Sequence, residues 1–421
     1  MRENSPNLQR RTLLSATALA VAMPALAYGR RSTPLRLGMV APMTGRFASY
    51  GASGVPGAHL AVRIVNEHGG ITALDGAPLE LIIADSKGDT KVTVAEIERL
   101  INDEHVSGII GPFSSLDALA ANPLSDEYKV PFVSPFWTSD KAFNLNSSYS
   151  RTLNLTSSSH ARTVVKMLDV LRSKYKFPVS KVGVIFDNSE YGRTAAGVVK
   201  QLLEKSGIPV VLDLPVTPGS NDYTPAVLRA RDSGADVLMA GFYFQETVLL
   251  LRAADALNYR TPIIGFASGF SDARLPDALG PDVAARALKA PVFGTTPGMR
   301  EDTKYGPLQT LLKEATKETV RPGVTQGLEL EWYGLSAQAV YVFKQAFEHS
   351  GSEDGIRVND AILEMNLPRG SEMLIAPFYD PALAWEPNGH PKNQVPSIAQ
   401  WQDGEPIIVY PDDVAAGAVR L

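Results

Sequence analysis

Between residues 35 and 266 the chain alternates short apolar runs with stretches whose apolar residues recur every three or four positions. The first kind reads as buried strands: 35–40, 79–84, 108–111 and 131–134. The second kind reads as helices over about 55–68, 91–102 and 116–128, the middle one led by Asp89 and Thr90 as capping candidates. Strands and helices in strict alternation build parallel βαβ units, because a parallel neighbour needs a crossover.

The pattern then restarts. Helical stretches at 159–175, 194–206, 225–233 and 247–256 alternate with strand runs at 182–186, 210–216, 237–240 and 263–266. The halves echo one another. Gly108-Ile109-Ile110-Gly111-Pro112-Phe113-Ser114-Ser115 and Asp236-Val237-Leu238-Met239-Ala240-Gly241-Phe242-Tyr243 each read as buried strand, glycine, aromatic and helix start. Val130–Ser134 is echoed in the same way by the stretch from Arg260 to Gly265. The fold expected is α/β: two open, doubly wound parallel-sheet lobes. Ligands of such sheets bind at the carboxyl ends of the strands, so two facing lobes share one cleft and can close on it.

Length agrees with two lobes: 421 residues exceed what one core comfortably serves. Arg10-Arg11 precedes an apolar run to Leu26, and Ala25-Leu26-Ala27 has the small-x-small form of a cleavage site. Residues 1–27 are therefore expected to be an export signal of twin-arginine type, cleaved near Ala27. Cysteine is absent, which excludes a disulfide framework and a lipid-modified N-terminal Cys. The formal net charge is −5, and the leader holds Arg2, Arg10 and Arg11 against Glu3, so its removal leaves a more acidic chain. Such a balance without a basic stripe disfavours nucleic acid as a partner.

Several segments resemble the leucine/isoleucine/valine-type periplasmic binding proteins, which have the type I periplasmic fold. They are the first strand-loop Pro42–Gly51, the helix end Asn66-Glu67-His68-Gly69-Gly70-Ile71, the loops Gly111–Ser115 and Val130–Pro135, and Asp187–Gly192. The order and spacing of these motifs carry the resemblance from about Leu35 to Tyr410. It implies a monomeric receptor in the periplasm that hands a small-molecule ligand to the permease subunits of an ABC importer, without a cofactor. It also implies a hinge crossed three times, placed near Arg151, Val292 and Pro377. Lobe 1 would then hold 34–151 with 293–376, and lobe 2 would hold 152–292 with 377–421.

Ser114 and Ser115 stand between a strand and a helix, where hydroxyls and free N–H groups suit an anionic oxygen or cap the helix. The resemblance gives Ser115 the ligand-binding role, assisted by Thr138. Phe136 and Trp137 offer a flat apolar wall, and Tyr50, Tyr191 and Tyr243 stand where relatives place aromatics. Ala267 and Ser268 fall in the loop after what reads as the last strand of the second lobe. Relatives that bind α-amino acids carry an acid there for the ammonium, whereas this chain has none before Asp272. Glu190 and Glu246 are candidate substitutes, and Arg46 is a candidate partner for a ligand carboxylate. The ligand expected is a carboxylate or amide with an apolar body. No enzyme motif stands out: Ser173-Lys174-Tyr175-Lys176 lies at a polar helix end, and the six His residues lack metal-ligand spacing.

Overall fold

The computed structural model describes residues 31–289, 291–296, 330–376 and 378–421. The expected leader and Pro377 lie outside the described residues. Two sheets organise the chain. The smaller has strands β1 (Leu35–Ala41), β2 (Leu79–Asp85), β3 (Gly108–Ile110), β4 (Phe132–Ser134) and β5 (Ser150–Thr152), all parallel, in the order β2-β1-β3-β4-β5. The larger contains β6 (Val182–Asp187), β7 (Val210–Val216), β8 (Val237–Gly241), β9 (Ile263–Gly265) and β10 (Val292–Thr296), in the order β7-β6-β8-β9-β10. The two orders are the same permutation, so the weak echo in the sequence is a topological repeat, with β3 matching β8 and β4 matching β9.

Helices α1 (Ala48–Glu67), α2 (Thr90–Asn102) and α3 (Ser115–Tyr128) connect the first sheet, and α4 (Ser157–Ser173) leads into the second. Helices α5 (Glu190–Lys205), α6 (Thr224–Asp232), α7 (Phe244–Ala256), α8 (Leu275–Leu279) and α9 (Pro281–Ala287) serve the second sheet. Asp89 caps α2 by accepting from the N–H groups of Lys91 and Val92, as the sequence suggested. Leu35, Leu37 and Met39 of β1 are almost fully buried; burial of each such side chain contributes roughly 1.5–3 kcal/mol.

Past β9 the structure adds what periodicity did not reveal. A short pair, β11 (Leu367–Pro368) and β12 (Ala382–Leu383), is followed by β13 (Ser397–Gln402) and β14 (Glu405–Tyr410), an antiparallel hairpin on the β10 edge of the larger sheet. So β9 is not the last strand of the second lobe. Because β10 pairs with β9 and β13, residues 293–296 belong to the second sheet and not, as expected, to the first lobe.

Helices α10 (Leu330–Ser350) and α11 (Gly355–Leu363) return to the first lobe, where α10 packs along α1. The glycines of α1 explain that approach. A Cβ on Gly57 would lie 2.1 Å from the Tyr333 carbonyl oxygen of α10, and one on Gly51 would lie 2.2 Å from that of Pro42. Only a hydrogen fits at either place.

The first crossing follows β5 and is bound to residues 379–394. The Tyr379 hydroxyl donates to Leu153 O at 3.0 Å, and Trp385 Nε1 donates to Thr152 O at 3.0 Å. Gln394 accepts from Thr156 N at 3.0 Å and donates to Asn154 O at 2.7 Å. His160, at the start of α4, shares a 2.7 Å hydrogen bond with the Thr295 hydroxyl of β10.

Candidate ligand-binding site

In each sheet the strand order reverses between the first and third strands, at β1/β3 and at β6/β8. The carboxyl ends of these strands face one another and bound a cleft with about 370 Å³ of empty space, partly open to solvent. Its lining includes Tyr50, Ser114, Ser115, Phe136, Trp137, Thr138, Tyr191 and Tyr243, so the structure brings these sequence-singled residues together. Ala267 is fully buried behind the lining instead. The turn at Ser268–Phe270 presents Gly269 to the cleft, where a Cβ would lie 2.5 Å from Thr247 Oγ1. The Ser268 side chain lies outside what the structure describes.

Sequence reasoning passed over Phe113, Phe242, Gly269 and Trp332. The first two stand inside the echoed strand–loop motifs, next to residues that were chosen. Trp332 opens α10, far along the chain, and its signal was the Trp332-Tyr333 aromatic pair. The rings form a continuous wall: Phe136 stacks on Trp332 at 5.8 Å, Tyr50 meets Trp332 edge-on at 5.2 Å, and Tyr191 meets Tyr243 at 4.8 Å. Phe113 joins Tyr50 and Phe136 at 5.2 and 5.3 Å. Aromatic pairs at these separations add stability beyond area burial and leave a rigid surface.

The polar end belongs to the first lobe. Ser114 is the N-cap of α3: its Oγ accepts from Asp117 N at 3.0 Å, and Asp117 Oδ2 accepts from Ser114 N at 3.1 Å. Thr90 Oγ1 donates to the other Asp117 oxygen at 2.6 Å and fixes the box. With Ser114 so occupied, Ser115, a buried residue on the cleft wall, has a hydroxyl with no hydrogen-bond partner among the described residues. Capping and ligand contact are thus divided between the neighbouring serines. Trp137 carries a second free donor, since its buried Nε1 has no partner among the described residues. Thr138 Oγ1 is 3.4 Å from Ser157 Oγ. A buried unpaired donor costs about 1–3 kcal/mol, which an acceptor on a ligand would recover.

Among the described residues, no lining side chain carries a formal charge. Burial pushes the Tyr191 hydroxyl well above its ordinary range, helped by Tyr243, Tyr50, Glu331 and Asp187. The Tyr243 and Tyr50 hydroxyls are raised in the same way, chiefly by burial. All three are therefore neutral hydrogen-bonding groups at any physiological pH.

The charged candidates are engaged elsewhere. Arg46, a candidate partner for a ligand carboxylate, reaches from the β1–α1 loop to the second lobe. There Nη2 lies 2.6 Å from Glu246 Oε1 and 3.0 Å from Asp187 Oδ2, and Nε donates to Glu246 Oε1 at 2.9 Å. Burial works against this charge, but Glu246 and Asp187 outweigh it and hold the guanidinium above its ordinary value. Glu190, largely buried, pairs with Lys141 of the first lobe at 2.9 Å and accepts from Thr194 Oγ1 at 2.8 Å. Both acids proposed as ammonium partners are thus already paired.

Other contacts join the lobes around the same rim. The Phe244 backbone N–H donates to the Tyr50 hydroxyl at 2.9 Å, and Arg274 donates to Ser49 O at 3.3 Å. The lobes are closed on one another in this conformer.

Two lobes of one strand order, joined by crossing segments and facing a common cleft with their strand ends, define a two-lobed α/β binding-protein fold. The chain belongs to the periplasmic binding protein family, whose model matches residues 34–405. It is similar to Leu/Ile/Val-binding protein homolog 8 of Brucella suis biovar 1 (strain 1330), 27% identical over 419 residues and covering 97% of this chain and 98% of the relative. Homolog 7 of Brucella abortus (strain 2308) is 27% identical over 415 residues, covering 96% and 98%. Among solved structures, the leucine binding protein LivK of Thermotoga maritima MSB8 aligns with a TM-score of 0.74 at 20% identity, covering 90% of this chain and 99% of that one. A solute binding protein of an ABC transporter from R. palustris, in complex with 4-hydroxybenzoate, aligns with a TM-score of 0.71 at 19% identity, covering 89% and 95%.

Proposed function

We propose that this protein is the exported, monomeric solute receptor of an ABC importer and that it takes a small carboxylate with an aromatic or apolar body. The observation that carries the ligand class is the cleft itself: among the described residues an uncharged lining, aromatic on most sides, with the Ser115 hydroxyl and the start of α3 at one end. A helix start and a free hydroxyl suit a carboxylate, and rigid rings suit its apolar body. An α-ammonium would enter a lining without a counter-charge, where desolvation is costly. The relatives named for leucine, isoleucine and valine, and the neighbour holding 4-hydroxybenzoate, bracket the size expected. Export rests on Arg10-Arg11 and Ala25-Leu26-Ala27, and cleavage near Ala27 is read directly by N-terminal sequencing of periplasmic extract.

Trp137 and Trp332 line the cleft, so their fluorescence reports occupancy. Titration with benzoate, 4-hydroxybenzoate, 3-phenylpropionate and 4-methylpentanoate should give a saturable change with at least one of them. The same ligand should raise the melting temperature in proportion to ln(1 + [L]/Kd). Saturable binding confined to leucine, valine or phenylalanine would overturn the ligand class and make Glu331, buried beside Trp332, the first residue to substitute.

A further inference from the structure

The second lobe carries two buried carboxylates at the cleft rim, Asp187 at the end of β6 and Glu246 in the first turn of α7, with side chains 0% and 4% exposed. Two such groups without a cation would be costly, because burial removes their hydration. Their cation comes from the opposite lobe. Arg46 spans the cleft, and its guanidinium also lies 5.6 Å from the centroid of Tyr243, a lining ring. The loop that carries it is held by Asp85, which accepts from the N–H groups of Met43 and Thr44 at 2.9 and 3.2 Å and from the Thr44 hydroxyl at 2.7 Å. Glu246 is still only half satisfied: its buried Oε2 has no partner among the described residues.

We infer that Arg46 is a specificity-determining residue: it fills the acid pair of the second lobe with the protein's own cation and so excludes ligands bearing an ammonium group. The inference rests on the carboxylate reading above and gives it a cause. An amine-bearing ligand gains nothing from Asp187 and Glu246 while Arg46 occupies them. Without Arg46, the same carboxylates and the vacant Glu246 oxygen form a site that needs a cation. The acid pair is then a latent ammonium site.

The test compares the wild type with Arg46→Ala, reading melting temperature and tryptophan fluorescence. Probes are methylguanidinium at millimolar concentration, phenylalanine and 3-phenylpropionate, against sodium chloride of equal ionic strength. The variant should melt lower than the wild type, methylguanidinium should raise its midpoint and leave that of the wild type unchanged, and phenylalanine affinity should rise about tenfold or more, a gain of ~1.4 kcal/mol. The triple variant R46A/D187N/E246Q no longer needs a cation. It should recover folded yield if Arg46→Ala alone is too unstable, and it should lose the methylguanidinium response. An Arg46→Ala protein that ignores methylguanidinium and still refuses phenylalanine would overturn the inference, as would a triple variant less stable than Arg46→Ala. Failure of the ligand reading looks different: there the wild type itself binds phenylalanine and not 3-phenylpropionate.

Discussion

The β3–α3 and β8–α7 corners have the same topology and finish in opposite ways. In the first lobe, Ser114 caps α3 from within and the Asp117 box completes it. In the second, the N-cap position of α7 is Tyr243, which supplies no side-chain cap. The Phe244 N–H is satisfied by Tyr50 of the opposite lobe, and Glu246 is paired through Oε1 with Arg46 of that same lobe. One half of the site is therefore complete in itself, while the other is completed only when the lobes meet. A shared strand order fixes where the helix ends sit; the capping residues decide whether each end depends on closure.

The largest expected effect is damage to the self-sufficient half. Gly57→Ala places a Cβ against the Tyr333 backbone, and overpacking of this kind costs about 3 kcal/mol. Gly197→Ala in α5 of the second lobe meets nothing within 4 Å and should instead stabilise, by roughly 0.5–1 kcal/mol. Urea unfolding of the two variants should give opposite signs; equal signs would remove the close α1–α10 approach from the account.

Acid should strike next, at the junction between α4 and β10. Burial, only partly offset by Asp140, lowers the His160 pKa from 6.5 to about 4. The unfolded chain thus takes up a proton near 6.5 that the folded chain resists until about 4, so stability falls as pH drops through that window and levels off below it. The full loss is about 3 kcal/mol by the usual conversion of pKa shifts. His160→Gln should flatten this part of the pH–stability curve, and an unchanged slope would assign the loss to other groups.

Tyr50→Phe and Ser114→Ala probe the two helix ends directly. Each removes one partner of a helix N-terminus, at about 1 kcal/mol. Loss of the Tyr50 hydroxyl should favour open forms and enlarge the radius of gyration in small-angle scattering. Loss of the Ser114 hydroxyl should lower the melting temperature with no change in radius. If both variants expand alike, the distinction between the corners fails.

Much of the architecture was legible in the sequence because buried parallel strands are short, apolar and separated by helices of clear period. Strands such as Val182–Asp187 and Val237–Gly241 were readable within a residue or two. The start of α1 was not, because Ala48, Ser49, Gly51 and Gly54 resemble a loop; their close neighbours, Pro42 at Gly51 and Ser336 of α10 at Gly54, come from outside the helix. The β13–β14 hairpin was missed because its strand identity comes from pairing with β10, a long-range fact. In the site, residues beside strand ends were found from local motifs. Trp332 was not, since it arrives from a distant helix, and Ala267 is buried while Gly269, two residues on, lines the cleft, a difference set by the turn between them. The role of Arg46 was also hidden: a charged residue in a glycine-rich turn looks solvated until the opposite lobe brings Asp187 and Glu246 to it.

The central claim is that this cleft is built for a carboxylate without an α-ammonium. Calorimetry on one preparation, with phenylalanine and 3-phenylpropionate as a pair and leucine and 4-methylpentanoate as another, isolates that single group. The account predicts that the deaminated member of at least one pair binds and its amino acid does not. Micromolar binding of leucine or phenylalanine, about −8 kcal/mol, with both acids silent would contradict it.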